Sequence, residues 1–153
     1  MERRLFLKST LAGSAVAVAA GAGLLTPNAV LAAWPEAAFG SKAVDDALKA
    51  LYGSSSTSAG DITITAPDIA ENGAVVPVTV ETNISNVEGI ALLVREANSP
   101  LVADYVMGGT AGGMVATRIK MGGTSDVVAV VKAGGSLYSA SQQIQVTVGG
   151  CGG

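Results

Sequence analysis

Residues 75–82 read VVPVTVET, and within them Val76, Val78 and Val80 alternate with Thr79 and Glu81. A period of two is the pleat of a β-strand with one buried face. Residues 143–148, QIQVTV, repeat the pattern, with Ile144, Val146 and Val148 set against Gln143, Gln145 and Thr147. Between these two, residues 127–131 read VVAVV and are apolar on both faces, which places that strand centrally, covered by another sheet or by a helix. Further strands are predicted over 62–66, 90–95, 101–107 and 114–121, and the strand with VVAVV extends over 127–132. Turn signals at Glu71-Asn72-Gly73, Asn86, residues 98–100 and the glycine pairs 108–109, 122–123 and 134–135 interrupt the chain every ten or so residues, the rhythm of a two-sheet sandwich. No helical pattern separates these strands, so a parallel α/β sheet is disfavoured. The glycine pairs fit neither dinucleotide-binding nor P-loop spacing and read as turns.

Upstream the period changes. Val44, Ala47, Leu48 and Leu51 recur at helical spacing within residues 41–52, while Lys42, Asp45, Asp46 and Lys49 fall elsewhere, predicting one amphipathic helix with Ser41 as N-cap and Gly53 as its stop. Residues 54–60, SSSTSAG, have the composition of a flexible connector. Trp34, Phe39 and Tyr52 are expected to pack the helix and N-terminal segment against the sandwich. Arg118 and Lys120 share one face of their strand and read as a solvated sheet face, with rimming the C-terminal tail or meeting a partner as the alternatives.

The first residues read as a targeting segment. Arg3 and Arg4 open the run RRLFLK, nothing is charged from Ser9 until Glu36, and the apolar Ala/Gly-rich stretch leads to small residues suited to cleavage after Ala32 or Ala33. Arg-Arg-x-Phe-Leu-Lys resembles the twin-arginine export signal. The expected organisation is a signal peptide over 1–32, an N-terminal segment over 33–60, a β-sandwich over 61–148 and a tail over 149–153. The mature domain is then periplasmic, with no stable membrane insertion after cleavage.

The chain of 153 residues has one cysteine and no histidine. It cannot by itself assemble a histidine-based metal site, a haem ligand set or a Ser-His-Asp triad, and no metal site is predicted. A net charge of −3 argues against a nucleic-acid partner. The single thiol, Cys151, sits in Gly149-Gly150-Cys151-Gly152-Gly153. Paired glycines offer no apolar neighbours to carry a cysteine into a core, so the thiol is expected to be exposed on a tether that swings freely. Three residues past Val148 span at most about 10 Å, enough to enter a narrow channel in another protein. One thiol closes no internal disulfide, which leaves nucleophilic or redox chemistry at Cys151, or an intermolecular disulfide joining two copies. No neighbouring Lys, Arg or His lowers its pKa in sequence, so activation is expected from a partner's active site.

The tail, together with AENGAVVPVTV (70–80), TRIK (117–120), VVAVV (127–131) and QVTVGGCGG (145–153), resembles the SoxY family of the bacterial Sox sulfur-oxidising system. The resemblance implies an immunoglobulin-like antiparallel sandwich and a non-catalytic carrier without cofactor. It implies covalent attachment of sulfur intermediates to Cys151, with Gly149, Gly150, Gly152 and Gly153 as a permissive arm. It also implies a heterodimer with a SoxZ-like subunit and transient docking to Sox enzymes that conjugate thiosulfate, oxidise the carried sulfur and release sulfate.

Overall fold

In the computed structural model, which describes residues 34–108 and 112–147, the alternating stretch forms β4 (Val76–Thr82). Val76, Val78 and Val80 are fully buried, whereas Pro77 and Glu81 face outward. β4 is the middle strand of a three-stranded sheet, flanked antiparallel by β2 (Ile62–Thr65) and β7 (Met114–Ile119). Its ladder with β2 runs only as far as Thr65 opposite Thr79. Pro77, opposite Arg118, therefore lies where β4 has a neighbour on one side, and its missing N–H need not interrupt a second ladder.

The larger sheet carries, in order, β1 (Ser58–Ala59), β9 (Ser136–Val146), β8 (Ser125–Ala133), β5 (Val87–Val94) and β6 (Leu101–Val106), with β3 (Ile69–Ala70) also paired to β9. β8 and β9 form a hairpin around Gly134-Gly135, whose φ angles of 56° and 77° belong to the left-handed region. Glycine reaches that region without steric cost, which is what a tight two-residue hairpin turn needs at both positions. The pairing recruits residues 136–142, SLYSASQ, into β9. Their weak apolar alternation hides them from a sequence reading, which starts the last strand at 143. Two other differences lie at the same edge. The expected connector over 54–60 contains β1, and both β1 and β3 run parallel to β9 while the longer strands pair antiparallel.

Between the sheets lie Val76, Val78, Val80, Ile90, Leu92, Val127, Ala129, Val131 and Ile144. The other face of the larger sheet is buried as well. Ala91 and Leu93 of β5 and Val128 and Val130 of β8 pack with Ala38, Ala47 and Leu48 of helices α1 (Glu36–Gly40) and α2 (Val44–Tyr52). This accounts for VVAVV, because Val127, Ala129 and Val131 meet the opposing sheet while Val128 and Val130 meet the helices. Each large apolar side chain buried in this way contributes about 2 kcal/mol. The fold is an all-β, immunoglobulin-like sandwich with a helical layer on one outer face.

The helical layer differs in detail from expectation. The helix predicted over 41–52 is α2, starting at Val44, and an unpredicted short helix, α1, precedes it and ends where Ser41 adopts extended backbone with ψ 151°. Ser41 donates its hydroxyl to the Ala37 carbonyl, and the N-cap of α2 is Ala43. Gly53 closes α2 as predicted, in left-handed conformation with its N–H on the Lys49 carbonyl. Phe39 and Tyr52 pack on the helical layer. Trp34, expected to pack with them, is 68% exposed.

Candidate functional site

Cys151, the glycines Gly149, Gly150, Gly152 and Gly153, and the export-signal residues Arg3 and Arg4 lie outside the described residues. What the structure defines is the root from which residues 148–153 depart. That root is fastened on both sides of β9. On one side Gln145 N–H donates to the Asp68 carbonyl at 2.9 Å and Thr147 N–H to the Ala70 carbonyl at 3.1 Å. On the other, Val146 N–H donates to Thr124 Oγ1 at 3.0 Å. Beside it, Met121 N–H donates to the Gly73 carbonyl at 2.7 Å. A β-carbon at Gly73 would collide with the Met121 carbonyl oxygen and with Val146 Cγ1, so glycine is required for this loop to approach the root.

Thr124 also lines a cleft of about 550 Å³ whose walls come from residues 94–102 and 120–125. Hydrogen bonding holds the walls together. Glu96 N–H donates to Ser125 Oγ at 3.0 Å, and Arg95 N–H to the Asp126 carbonyl at 3.0 Å. The Arg95 guanidinium lies 3.5 Å from the Asp126 carboxylate. Ser125 is 5% exposed and satisfied by these contacts, which explains a polar side chain at a buried position. Val94, Ala97 and Val102 supply apolar lining, Asn98 and Ser99 polar lining, and Lys120 and Glu96 the charges. Lys120 follows β7 directly. Arg118, two residues earlier, is exposed on the outer face of the smaller sheet.

The opposite end of the sandwich holds a second depression, about 720 Å³, lined by Asn86, Val87, Val106 and Met107 among others. It is the larger of the two, but it lies at the hairpin end, away from the root. Near this end Tyr52 of α2 donates its hydroxyl to Asp104 Oδ1 at 3.2 Å. Burial pushes the phenol far above its ordinary range, and the adjacent Asp104 charge and hydrogen bond add to the rise. Burial also raises the Asp104 carboxyl, opposed by the hydrogen bond from Tyr52. Lys132 Nζ sits 5.8 Å from the Tyr52 ring centroid and 3.3 Å from Glu88 Oε2. These contacts pin the end of α2 to β5, β6 and β8. Sequence reading missed Asp104, whose partner is 52 positions away. It also missed Glu96, Ser99 and Thr124 as cleft residues, since nothing in their local patterns marks them. Among the described residues no three His, Cys, Asp or Glu side chains are grouped to hold a metal ion.

Residues 48–151 match the model of a family described as "Sulfur oxidation protein SoxY". That match spans more than half of the chain. The chain belongs to the SoxY family. Among solved structures it is similar to the sulfur carrier protein SoxY from Chlorobium limicola f. thiosulfatophilum, at 40% identity and TM-score 0.63, covering 69% of this chain and 96% of that one. Superoxide reductase (neelaredoxin) from Ignicoccus hospitalis aligns at 18% identity and TM-score 0.51, covering 56% and 80%, a likeness that shows the fold alone. No curated protein sequence matches the chain. Membership of the SoxY family makes this a sulfur-oxidation carrier protein, built on an immunoglobulin-like sandwich.

Proposed function

We propose that the chain is a periplasmic, non-catalytic carrier that holds sulfur intermediates covalently on the Cys151 thiol and delivers them to partner enzymes. The observation that carries this reading is the extent of the family match, which runs through the β-sandwich and includes Cys151. Two features support it. The chain's one thiol stands between glycine pairs four residues beyond Thr147, and the strand leading to it is tied to the body by the backbone N–H groups of Gln145, Val146 and Thr147. A fixed root followed by glycines suits an arm that moves while its base stays put.

On this reading the loading step joins Cys151 Sγ to the outer sulfur of thiosulfate. A sulfur–sulfur bond forms, the thiol proton goes to solvent, and two electrons pass to an acceptor in the conjugating enzyme. Making and breaking the carried bonds belongs to the enzymes visited, which provide the activation this chain does not encode next to Cys151. A SoxZ-like subunit completes the carrier, and the twin-arginine-type signal with Arg3 and Arg4 directs export.

The test is the intact mass of protein recovered from periplasm without reductant, with and without growth on thiosulfate. Sulfur-containing adducts on Cys151 that reductant removes are expected only with thiosulfate. Finding only free thiol and disulfide-linked homodimer under both conditions would replace the carrier reading by that of a sandwich cross-linked through Cys151.

A further inference from the structure

Large apolar side chains of the sandwich are exposed in two pairs among the described residues. Ile69 and Val75, 55% and 51% exposed, flank the loop that fits against the root. Ile69 lies opposite Gln145 where β3 pairs with β9, and its neighbour Ala70 is buried. Val75 follows the turn at Gly73, its N–H on the Asn72 carbonyl, and its neighbour Val76 is buried in β4. Both therefore sit on backbone tied to β9 on one side and to β4 on the other, while about half of each residue is left to solvent. Val106 and Met114 make the second pair, at the hairpin end, where Val106 and Gly113 line the depression. Val106 is level with Leu137 across the sheet, through Gly89 and Lys132. Leu137 precedes Thr147 by ten residues, about 33 Å of extended chain.

The length of the tail decides which pair a partner meets. Residues 149–153 are glycine apart from Cys151, and Val148 is the first bulky side chain behind them. A channel narrow enough to hold the thiol away from water admits the glycines and stops at Val148. Its mouth then lies within about 7 Å of Thr147, two residues at full extension, whichever way the tail points. Ile69, beside Gln145, and the loop of Val75, seated on Val146, border the root within such a contact. Val106 does not. Resting on the carrier reading, we propose that Ile69 and Val75 form a collar on which the rim of a partner enzyme's active-site channel seats while Cys151 reacts inside it. The arm's length fixes the occupant, because an enzyme that takes the thiol into a channel meets the collar. Both side chains are β-branched and stiff, so contact costs little conformational entropy. A patch this small binds weakly, which suits a carrier that must leave after each reaction. Asp68 and Glu71, exposed on either side of Ile69 and Ala70, give the collar a polar border. The matching rim on the enzyme is apolar opposite Ile69 and Val75 and polar around them.

The test uses the full-length mature carrier with its SoxZ-like subunit and, as probe, the enzyme that conjugates thiosulfate to Cys151, with loading followed by intact mass. Ile69→Thr combined with Val75→Thr keeps β-branching and exchanges apolar surface for hydroxyls. The pair is expected to raise KM for the carrier about five- to twenty-fold, with kcat changed less than about two-fold. Reaction of Cys151 with dipyridyl disulfide, a small neutral reagent that needs no docking, should keep the wild-type rate. Val106→Thr should leave KM unchanged. Inserting Gly-Gly-Ser-Gly-Gly-Ser between Val148 and Gly149 lets the mouth stand off from the collar, and in that longer-armed carrier the paired substitution should change KM less than about two-fold. Unchanged KM in the paired variant, with thiosulfate-derived adducts still forming on Cys151, overturns the collar and leaves the carrier reading intact. An equal rise in Val106→Thr, or a penalty undiminished by the longer arm, overturns it too, since each puts the contact elsewhere. A slowed reaction with dipyridyl disulfide also overturns it, by marking an altered arm. Absence of any adduct on the wild-type thiol overturns the carrier reading itself.

Discussion

The two ends of the sandwich treat their polar groups differently. At the hairpin end Tyr52 is bonded to Asp104, Lys132 to Glu88, and the turn closes in two glycines. At the root end the backbone of β9 is secured by Asp68, Ala70 and Thr124 and Arg95 is paired with Asp126, while Lys120 and Glu96 line a cleft without an ion pair among the described residues. The hairpin end uses its polar chemistry internally, to hold a helix on a sheet. The root end uses most of its hydrogen bonds to fix the backbone of β9.

The sharpest way to probe this contrast is Cys151→Ser. It should abolish sulfur loading while leaving the melting temperature unchanged, as read by intact mass and by calorimetry. A large fall in melting temperature would mean the thiol is structural. Next in size is Gly73→Val, which forces a side chain against the Met121 carbonyl and Val146 and should cost about 2 kcal/mol in denaturant unfolding. Wild-type stability in that variant would show the root to be less tightly fitted than the hairpin end. Tyr52→Phe removes the donor to Asp104 and should cost about 1 kcal/mol. If it cost nothing, the latch on α2 would reduce to apolar packing alone.

Asp104→Asn gives the smallest effect and one of defined sign. The carboxyl of Asp104 is raised in the folded state, so the native protein binds its proton more readily than the unfolded chain. Its contribution is therefore most favourable in acid and is lost as pH rises through the folded-state value. The wild type should lose stability relative to the Asn variant as pH rises from below the ordinary carboxylate value of about 4 through the raised folded-state value. A stability difference that is flat with pH, or that grows in the other direction, would remove Asp104 as a titrating element of the hairpin end.

Much of this molecule is legible in one dimension, where the relevant physics is local. Alternation at Val76, Val78 and Val80 is the pleat itself, and the stripe Val44, Ala47, Leu48, Leu51 is the helix repeat itself. The isolation of Cys151 among glycines needs no contacts to be seen. Helix α1 escaped because its five residues are too few for a periodic pattern. The strand at 136–142 escaped because hydrogen bonding to β8, and not its own apolar pattern, holds it.

By itself the sequence determined the strand-rich class, the central place of VVAVV and the single reactive side chain, each a property of neighbours along the chain. Only the tertiary structure decided that both covers of VVAVV are present, that β1 and β3 run parallel to β9, and that Thr124 grips the root while lining a cleft with Lys120 and Glu96. The reason is that these depend on strand register and layer order, which bring together residues 22 to 82 positions apart, and no local pattern encodes that meeting.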